Sequence, residues 1–260
     1  MRVTVLGCGT STGVPVIGCP CDVCRSTDPR NHRSRSSIVV SENGQNVLVD
    51  TAPELRYQAL ATGITTVDAV LYTHDHADHI FGMDELRTFN FIMGRSIPVY
   101  GNEKVINRIR NVFDYIWDPS APQGGGLPMI TTTLMDGDLE VADMRIRPLS
   151  LWHGRQIILG FKFGETLAYM TDCSQVPEET MEEVRGTPVI IIDALRYRPH
   201  TTHFSVDQAL EVIKELSPER AYLTHLSHSL DYNRLRSELP DGVEPAYDGL
   251  EVNLEGTGGS

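Results

Sequence analysis

The sequence predicts a mixed, β-rich α/β fold in a single domain. Three observations carry that reading. Short β-branched runs alternate with amphipathic helical segments along the chain. Clusters of His and Asp follow directly on several apolar runs, at strand ends where the site of an α/β sheet is expected. No repeat or linker divides the 260 residues, a length at which one α/β domain buries a large core without disulfides.

Val3 to Leu6 reads as the first strand. Ser36–Val40 and Asn46–Asp50 read as a hairpin with Asn43-Gly44 at its turn. Ala69–Thr73 is a strand ending in a His/Asp cluster. Ile97–Tyr100 is another, followed by a helix from about Asn102 with Val105, Ile106, Ile109, Val112, Phe113 and Ile116 on one face. A Pro/Gly-rich loop over 118–128 follows, long enough for a lid or an interface element. Strand-like runs then occur at Ile130–Leu134, Met144–Leu151, Ile157–Phe163, Leu167–Met170 and Val189–Ile192. Ser205 caps a helix running to about Leu216, and Ala221–Thr224 is a further strand. The expected domain spans 1–255. The Gly/Ser-rich 256–260 reads as a flexible tail outside the fold.

Hydrophobic residues at 40% and charged residues at 22% exclude a disordered or collagen-like chain. Lys and Arg number 22 against 35 Asp and Glu, a net charge of −13. That balance argues against a broad basic face for nucleic acid, though a local basic pocket remains open. The opening MRVTVLGCGT lacks the apolar run of a signal peptide. No stretch approaches the ~18–20 apolar residues of a membrane helix. A cytoplasmic protein with no membrane partner is expected.

The strongest chemical signal is Thr73-His74-Asp75-His76-Ala77-Asp78-His79. Imidazole and carboxylate crowded after a strand suit Zn or Mn. One open catalytic ion cannot use all of them, and His153, Asp172 and His225 each lie at or just past a further strand end. The pattern T-H-x-H-x-D-H with a distant His, Asp and His resembles the metallo-β-lactamase superfamily over essentially the whole chain. The resemblance implies an αββα sandwich with two metals at one edge of its sheets. It implies His74, His76 and His153 as ligands of the first metal and Asp78, His79 and His225 as ligands of the second. Asp172 then matches the bridging carboxylate, and Asp50 a structural aspartate supporting the ligand loop. An Asp rather than a Cys at the bridge points to phosphodiesters, thioesters and lactones rather than β-lactams.

Five cysteines are present, three of them in Cys19-Pro20-Cys21-Asp22-Val23-Cys24. C-x-C-x-x-C offers three thiolates, and a structural Zn needs a fourth ligand. With His225 assigned to the catalytic metals, Thr224-His225-Leu226-Ser227-His228 leaves His228. Cys8 and Cys173 read as small buried residues. The opening Leu6-Gly7-Cys8-Gly9-Thr10-Ser11-Thr12-Gly13-Val14-Pro15, the Cys cluster and T-H-L-S-H resemble the PhnP-like phosphodiesterases, which open ribose cyclic phosphates and carry a separate structural zinc. The opening is shared with tRNase Z, and the Cys cluster is the more specific feature.

In that pattern the His before a helix protonates the leaving oxygen, and His203 matches it; His200 is the alternative donor or a phosphate contact. Arg196 and Arg198 are candidate phosphate clamps. His32, with Arg30, Arg33 and Arg35, is assigned to a basic entrance loop. The resemblance thus implies two catalytic divalent metals (Zn or Mn) and one structural Zn. It implies hydrolysis of a small cyclic phosphodiester, such as phosphoribosyl 1,2-cyclic phosphate, by a metal-activated hydroxide. Catalysis falls to Asp78, Asp172 and His203. The rival readings are a tRNase Z-like 3′-processing nuclease, a lactonase or thioesterase, and a non-catalytic metal-binding protein. The sequence leaves the oligomeric state open, a homodimer included.

Overall fold

The computed structural model describes residues 1–120 and 126–254. The expected tail at 256–260 and the centre of the 118–128 loop lie outside the described residues. The first part of the chain forms β1 (Arg2–Gly7), β2 (Ser37–Glu42), β3 (Gln45–Val49), α1 (Leu55–Thr62), β4 (Ala69–Leu71), α2 (Ala77–Ile80), α3 (Leu86–Met93), β5 (Ile97–Gly101), α4 (Glu103–Val112) and β6 (Ile130–Leu134). The second part forms β7 (Leu139–Val141), β8 (Met144–His153), β9 (Gln156–Phe163), β10 (Leu167–Met170), α5 (Glu178–Val184), β11 (Val189–Asp193), α6 (Val206–Leu216), β12 (Arg220–Thr224), α7 (Tyr232–Glu238), β13 (Val243–Pro245) and β14 (Glu251–Asn253).

Two seven-stranded sheets result, in the orders β14-β1-β2-β3-β4-β5-β6 and β13-β12-β11-β10-β9-β8-β7. Each has an antiparallel half and a parallel half. In the first sheet β14, β1, β2 and β3 pair antiparallel, and β3 to β6 run parallel. In the second β7 to β10 pair antiparallel, and β10 to β13 run parallel. Asn43 and Gly44, with φ of 50° and 80°, make the expected hairpin turn between β2 and β3.

Alternation along the strands sorts apolar side chains into three layers. Val3, Val5, Ile38, Val40, Val49 and Leu71 meet Ile146, Phe161, Phe163 and Ile191 between the sheets. Leu55, Ile80, Leu86, Phe89, Val105 and Ile109 pack helices on the outer face of the first sheet. Met181, Val184, Ala209, Ile213 and Leu235 do so on the second. The fold is an αββα sandwich, as the resemblance implies.

Three local expectations shift. The helix after Asn102 stops at Val112, because Phe113 leaves helical geometry (φ −111°, ψ 38°), and Ile116 falls in a separate 3-10 turn. The Asn102 side chain caps that helix by accepting from the Val105 amide at 3.0 Å. β8 runs on to His153 instead of ending at Leu151. The basic entrance loop does not exist as such. Arg33 is buried, Arg30 is paired with Asp28 and Arg35 with Glu54, and His32 Nε2 contacts the Ser26 carbonyl at 2.9 Å.

Candidate metal centre

Parallel strands end on one edge of each sheet, and the two edges face each other there. Asp50 follows β3, Thr73–His79 follows β4, Asp172 follows β10, His225 follows β12, and Asp193 ends β11. His153 reaches the same edge as the last residue of β8. Asp50, Asp172 and His225 adopt left-handed backbone, with φ of 61°, 57° and 58°. Each such value costs a non-glycine residue about 1–3 kcal/mol, and strain of this kind collects at functional sites. Asp50 itself accepts from the Thr73 amide at 2.9 Å, the Thr73 hydroxyl at 2.8 Å and His79 Nδ1 at 2.7 Å. Its carboxylate thereby ties the β4 loop to β3 and turns His79 Nε2 toward the site.

Two groups of donor atoms gather, each with its members within 4.8 Å of one another. His74, His76 and His153 form one; Asp78, His79, Asp172 and His225 form the other. In the first, His74 Nε2 lies 2.9 Å from His76 Nδ1, and His153 Nδ1 donates to the Thr202 carbonyl at 2.9 Å. In the second, Asp172 Oδ1 lies 3.3 Å from His79 Nε2 and 3.1 Å from His225 Nε2, and it also reaches toward His74 Nε2 at 3.9 Å. Asp172 belongs to the second group and faces His74 of the first, and Thr171 donates to its other oxygen at 2.7 Å.

The donor set fits divalent cations. His79 Nε2 and both ring nitrogens of His225 are buried and have no hydrogen-bond partner among the described residues. Leaving buried polar atoms unpaired costs about 1–3 kcal/mol each unless a cation fills the gap. Burial lowers the His74 and His225 pKa values, the latter to about 4, which keeps both imidazoles in the neutral form that ligates.

His203 stands over this site. Its ring stacks on His225 at 4.6 Å and lies 4.7 Å from that of His153. Its Nδ1 donates to Asp193 Oδ2 at 3.0 Å, which fixes the ring and turns Nε2 the other way. Burial opposes the charged imidazole, yet the Asp193 hydrogen bond and the nearby carboxylates outweigh it and hold the His203 pKa above its ordinary value. Asp193 was not singled out in the sequence. The one available signal was a lone Asp closing the apolar run Val189–Ile192, the pattern that Asp50 also shows.

The remaining candidates lie near the rim. The His200 ring is 5.3 Å from that of His203, and its Nδ1 accepts from the Thr202 amide at 3.3 Å. Arg196 donates from Nε to the Arg198 carbonyl and from Nη2 to the Pro199 carbonyl, so it braces its own loop. Arg198 is exposed. Asp75, between two of the imidazoles, pairs with Lys104 at 3.0 Å and accepts from Gln156 at 3.3 Å.

On the far side of the His225 loop, Cys19, Cys21 and Cys24 converge on His228. Their sulfurs lie 3.3, 3.5 and 3.7 Å from its Nδ1. The Cys24 amide, donating to Cys21 Sγ at 3.4 Å, leads the effects that bring that thiol down to about 6, toward the thiolate a metal binds. Cys8 and Cys173 are fully buried and stand in neither group.

Comparison with known proteins matches residues 45–226 to the beta-lactamase superfamily domain. A crystal structure of a new diphosphatase from the PhnP family is 40% identical, superposes with a TM-score of 0.90, and 98% of each chain is covered. An octanoyltransferase of Porphyromonas gingivalis is 38% identical over 99% of this chain, which spans only about half (52%) of that relative's length. Zinc-bound PqqB of Methylobacterium extorquens, 20% identical with a TM-score of 0.77 over 98% of this chain and 100% of that one, shares the fold.

Proposed function

The chain belongs to the beta-lactamase superfamily and to its PhnP family, and on that premise we propose that it is a dinuclear metal phosphodiesterase acting on small cyclic phosphodiesters such as phosphoribosyl 1,2-cyclic phosphate. The observation that carries the reading is Asp172, a buried carboxylate facing imidazoles of both donor groups. His74, His76 and His153 would hold one ion, Asp78, His79 and His225 the other, and Asp172 would touch both. Two divalent cations there supply an activated water for attack at phosphorus and offset charge on the phosphoryl oxygens.

The protein's own groups do the rest. Asp50 and Thr202 aim His79 and His153. Asp193 presents His203 with its proton on the substrate side, where it protonates the departing ribose oxygen. His200 and Arg198 flank the substrate. A small anionic substrate also suits the acidic surface better than a long RNA. The Cys19–Cys21–Cys24–His228 group would hold a structural Zn, giving about three ions per chain.

A second reading has one observation behind it. The 40% identical relative is a diphosphatase, and a diphosphate leaves as a phosphate that needs little help from an acid. A substrate panel decides, run with added Mn or Zn. It contains a ribose cyclic phosphate, a nucleoside diphosphate ester, bis-p-nitrophenyl phosphate, a homoserine lactone and a precursor tRNA. Turnover of the cyclic phosphate well above the others is expected. Hydrolysis of the lactone or the tRNA alone would overturn the reading.

A further inference from the structure

The loop after β12 carries one residue of each ligand cluster, His225 and His228, three positions apart. It is an unfavourable piece of chain, because His225 sits at φ 58°. Backbone bonds hold part of it. The Leu226 amide donates to the Cys8 carbonyl at 2.8 Å, the Leu226 carbonyl accepts from Thr10 at 3.3 Å, and the Ser227 amide donates to Leu195 at 3.0 Å.

The Ser227 and Leu230 carbonyls both accept from one side chain, Arg33, and the Ser227 carbonyl also accepts from the Leu230 amide at 3.2 Å. Nη1 donates to Ser227 at 2.9 Å and Nη2 to Leu230 at 2.7 Å. Nη2 also reaches Asn31 Oδ1 at 3.0 Å, and Nε reaches the Arg30 carbonyl at 3.3 Å. Arg33 is 1% exposed, and no carboxylate pairs with it among the described residues. Its own backbone is fixed, since Arg33 and Val14 exchange hydrogen bonds at 2.7 and 2.8 Å. Gly9 packs so closely that a Cβ there would come within 2.7 Å of the Arg33 carbonyl.

Burying a guanidinium costs several kcal/mol unless its donors are filled. Methionine would occupy the volume without that cost. The use of Arg here is explained by the carbonyls it gathers, and those carbonyls belong to the 227–230 turn that directly follows His225 and carries His228.

We propose that Arg33 is a positioning residue for the catalytic centre: by holding the Ser227 and Leu230 carbonyls it fixes the turn directly after His225, and so sets the affinity of the Asp78–His79–Asp172–His225 group for its cation. The proposal rests on reading that group as a metal site. The grip on the turn then lies with Arg33, a side chain of neither ligand cluster.

Two readouts test it. Competition with a chromogenic chelator on metal-depleted protein gives Zn affinity ion by ion, and hydrogen exchange follows the Leu226 and Ser227 amides. Arg33→Met should weaken the weaker catalytic ion by roughly 10–100-fold, the scale seen when groups that orient ligands are removed. Exchange at both amides should quicken. Arg33→Lys, which keeps the charge and can reach one carbonyl, should recover part of both. Cys21→Ser should leave catalytic-site affinity within a few-fold. Wild-type affinity in folded Arg33→Met overturns the proposal. Should Arg33→Met fail to fold, unchanged affinity and protection in Arg33→Lys overturn it equally. Wild-type protein that takes up no Zn outside the cysteine cluster would sink the metal-site reading itself, and exchange in Arg33→Lys would still report whether Arg33 holds the turn.

Discussion

The two ligand clusters share one loop, yet they are built by opposite means. The His/Asp groups stand at the ends of sheet strands, and all but His76 and Asp78 of their members are buried. Asp50, Thr73, Thr171 and Thr202 hold their side chains in place, and left-handed backbone at Asp50, Asp172 and His225 aims them. The three cysteines of the other cluster sit on turns over 19–24, outside any helix or strand, all four members with His228 are partly exposed, and Ile17 beside them is fully exposed. Sparse backbone bonds, such as Cys19 to Val16 and Arg25 to Cys21, tie that loop down. The difference teaches where each cluster gets its order. Strand ends and buried side-chain bonds order the first, whereas the second is proposed to take its order from the ion it would hold.

The sharpest way to break this contrast is at Asp172, the carboxylate proposed to serve both His groups. Asp172→Ala should remove several kcal/mol of transition-state stabilisation, roughly 10³-fold or more in kcat on any phosphodiester. Circular dichroism should be nearly unchanged, because the strand ends hold the rest. Activity within a few-fold of wild type would reject a shared role for Asp172.

Next comes the proposed proton donor. His203→Ala should cost roughly 10²–10⁴-fold in kcat on a ribose cyclic phosphate, whose leaving hydroxyl needs a proton. On bis-p-nitrophenyl phosphate the loss should be clearly smaller, since p-nitrophenolate leaves unaided. Equal losses on both would mean that His203 binds rather than donates. If His200→Ala shows the leaving-group dependence instead, the donor is His200. Asp193→Asn should follow at roughly 10–100-fold, by releasing the His203 ring and altering which nitrogen carries its proton. It should keep the same leaving-group dependence, and a loss independent of leaving group would detach Asp193 from the acid step.

How much of this was legible in the sequence follows the same divide. Strands with β-branched runs, the Ser205 cap and the helix start near Asn102 could be read because their signals are local. Helices α1, α3, α5 and α7 could not. The α3 sequence LRTFNFIM, for instance, has apolar residues on both faces, with Phe91 and Ile92 exposed. The residues that gather at the strand ends were named from T-H-x-H-x-D-H, whose spacing is itself local. Asp193 and Arg33 were missed or misread because their meaning is tertiary. A lone Asp after four apolar residues looks like a solvated strand end, and Arg33 among Arg30 and Arg35 looks like surface charge. Asp193 gets its partner only when the 195–203 loop folds back, and Arg33 gets its own only from the 225–230 loop, far away in sequence.

The smallest expected effect on turnover tests the other half of the contrast. Cys21→Ser removes one of three thiols from a partly exposed loop that its ion is proposed to close. Metal analysis should find one fewer ion per chain, and the protein should lose stability. A loss of ~3 kcal/mol would lower Tm by roughly 6–12 °C in a chain of this size. The catalytic ions should stay, because His225 is fixed by the Leu226 backbone bonds and by Arg33 rather than by His228. Turnover on the cyclic phosphate should therefore remain within about 3-fold of wild type at a temperature well below the lowered Tm, below the 10–100-fold range of an orienting residue. Unchanged Zn content would show that the cysteines hold no ion. A collapse of turnover together with loss of the catalytic ions would show that the two clusters are one mechanical unit, and that the fold does not prearrange the first without the second.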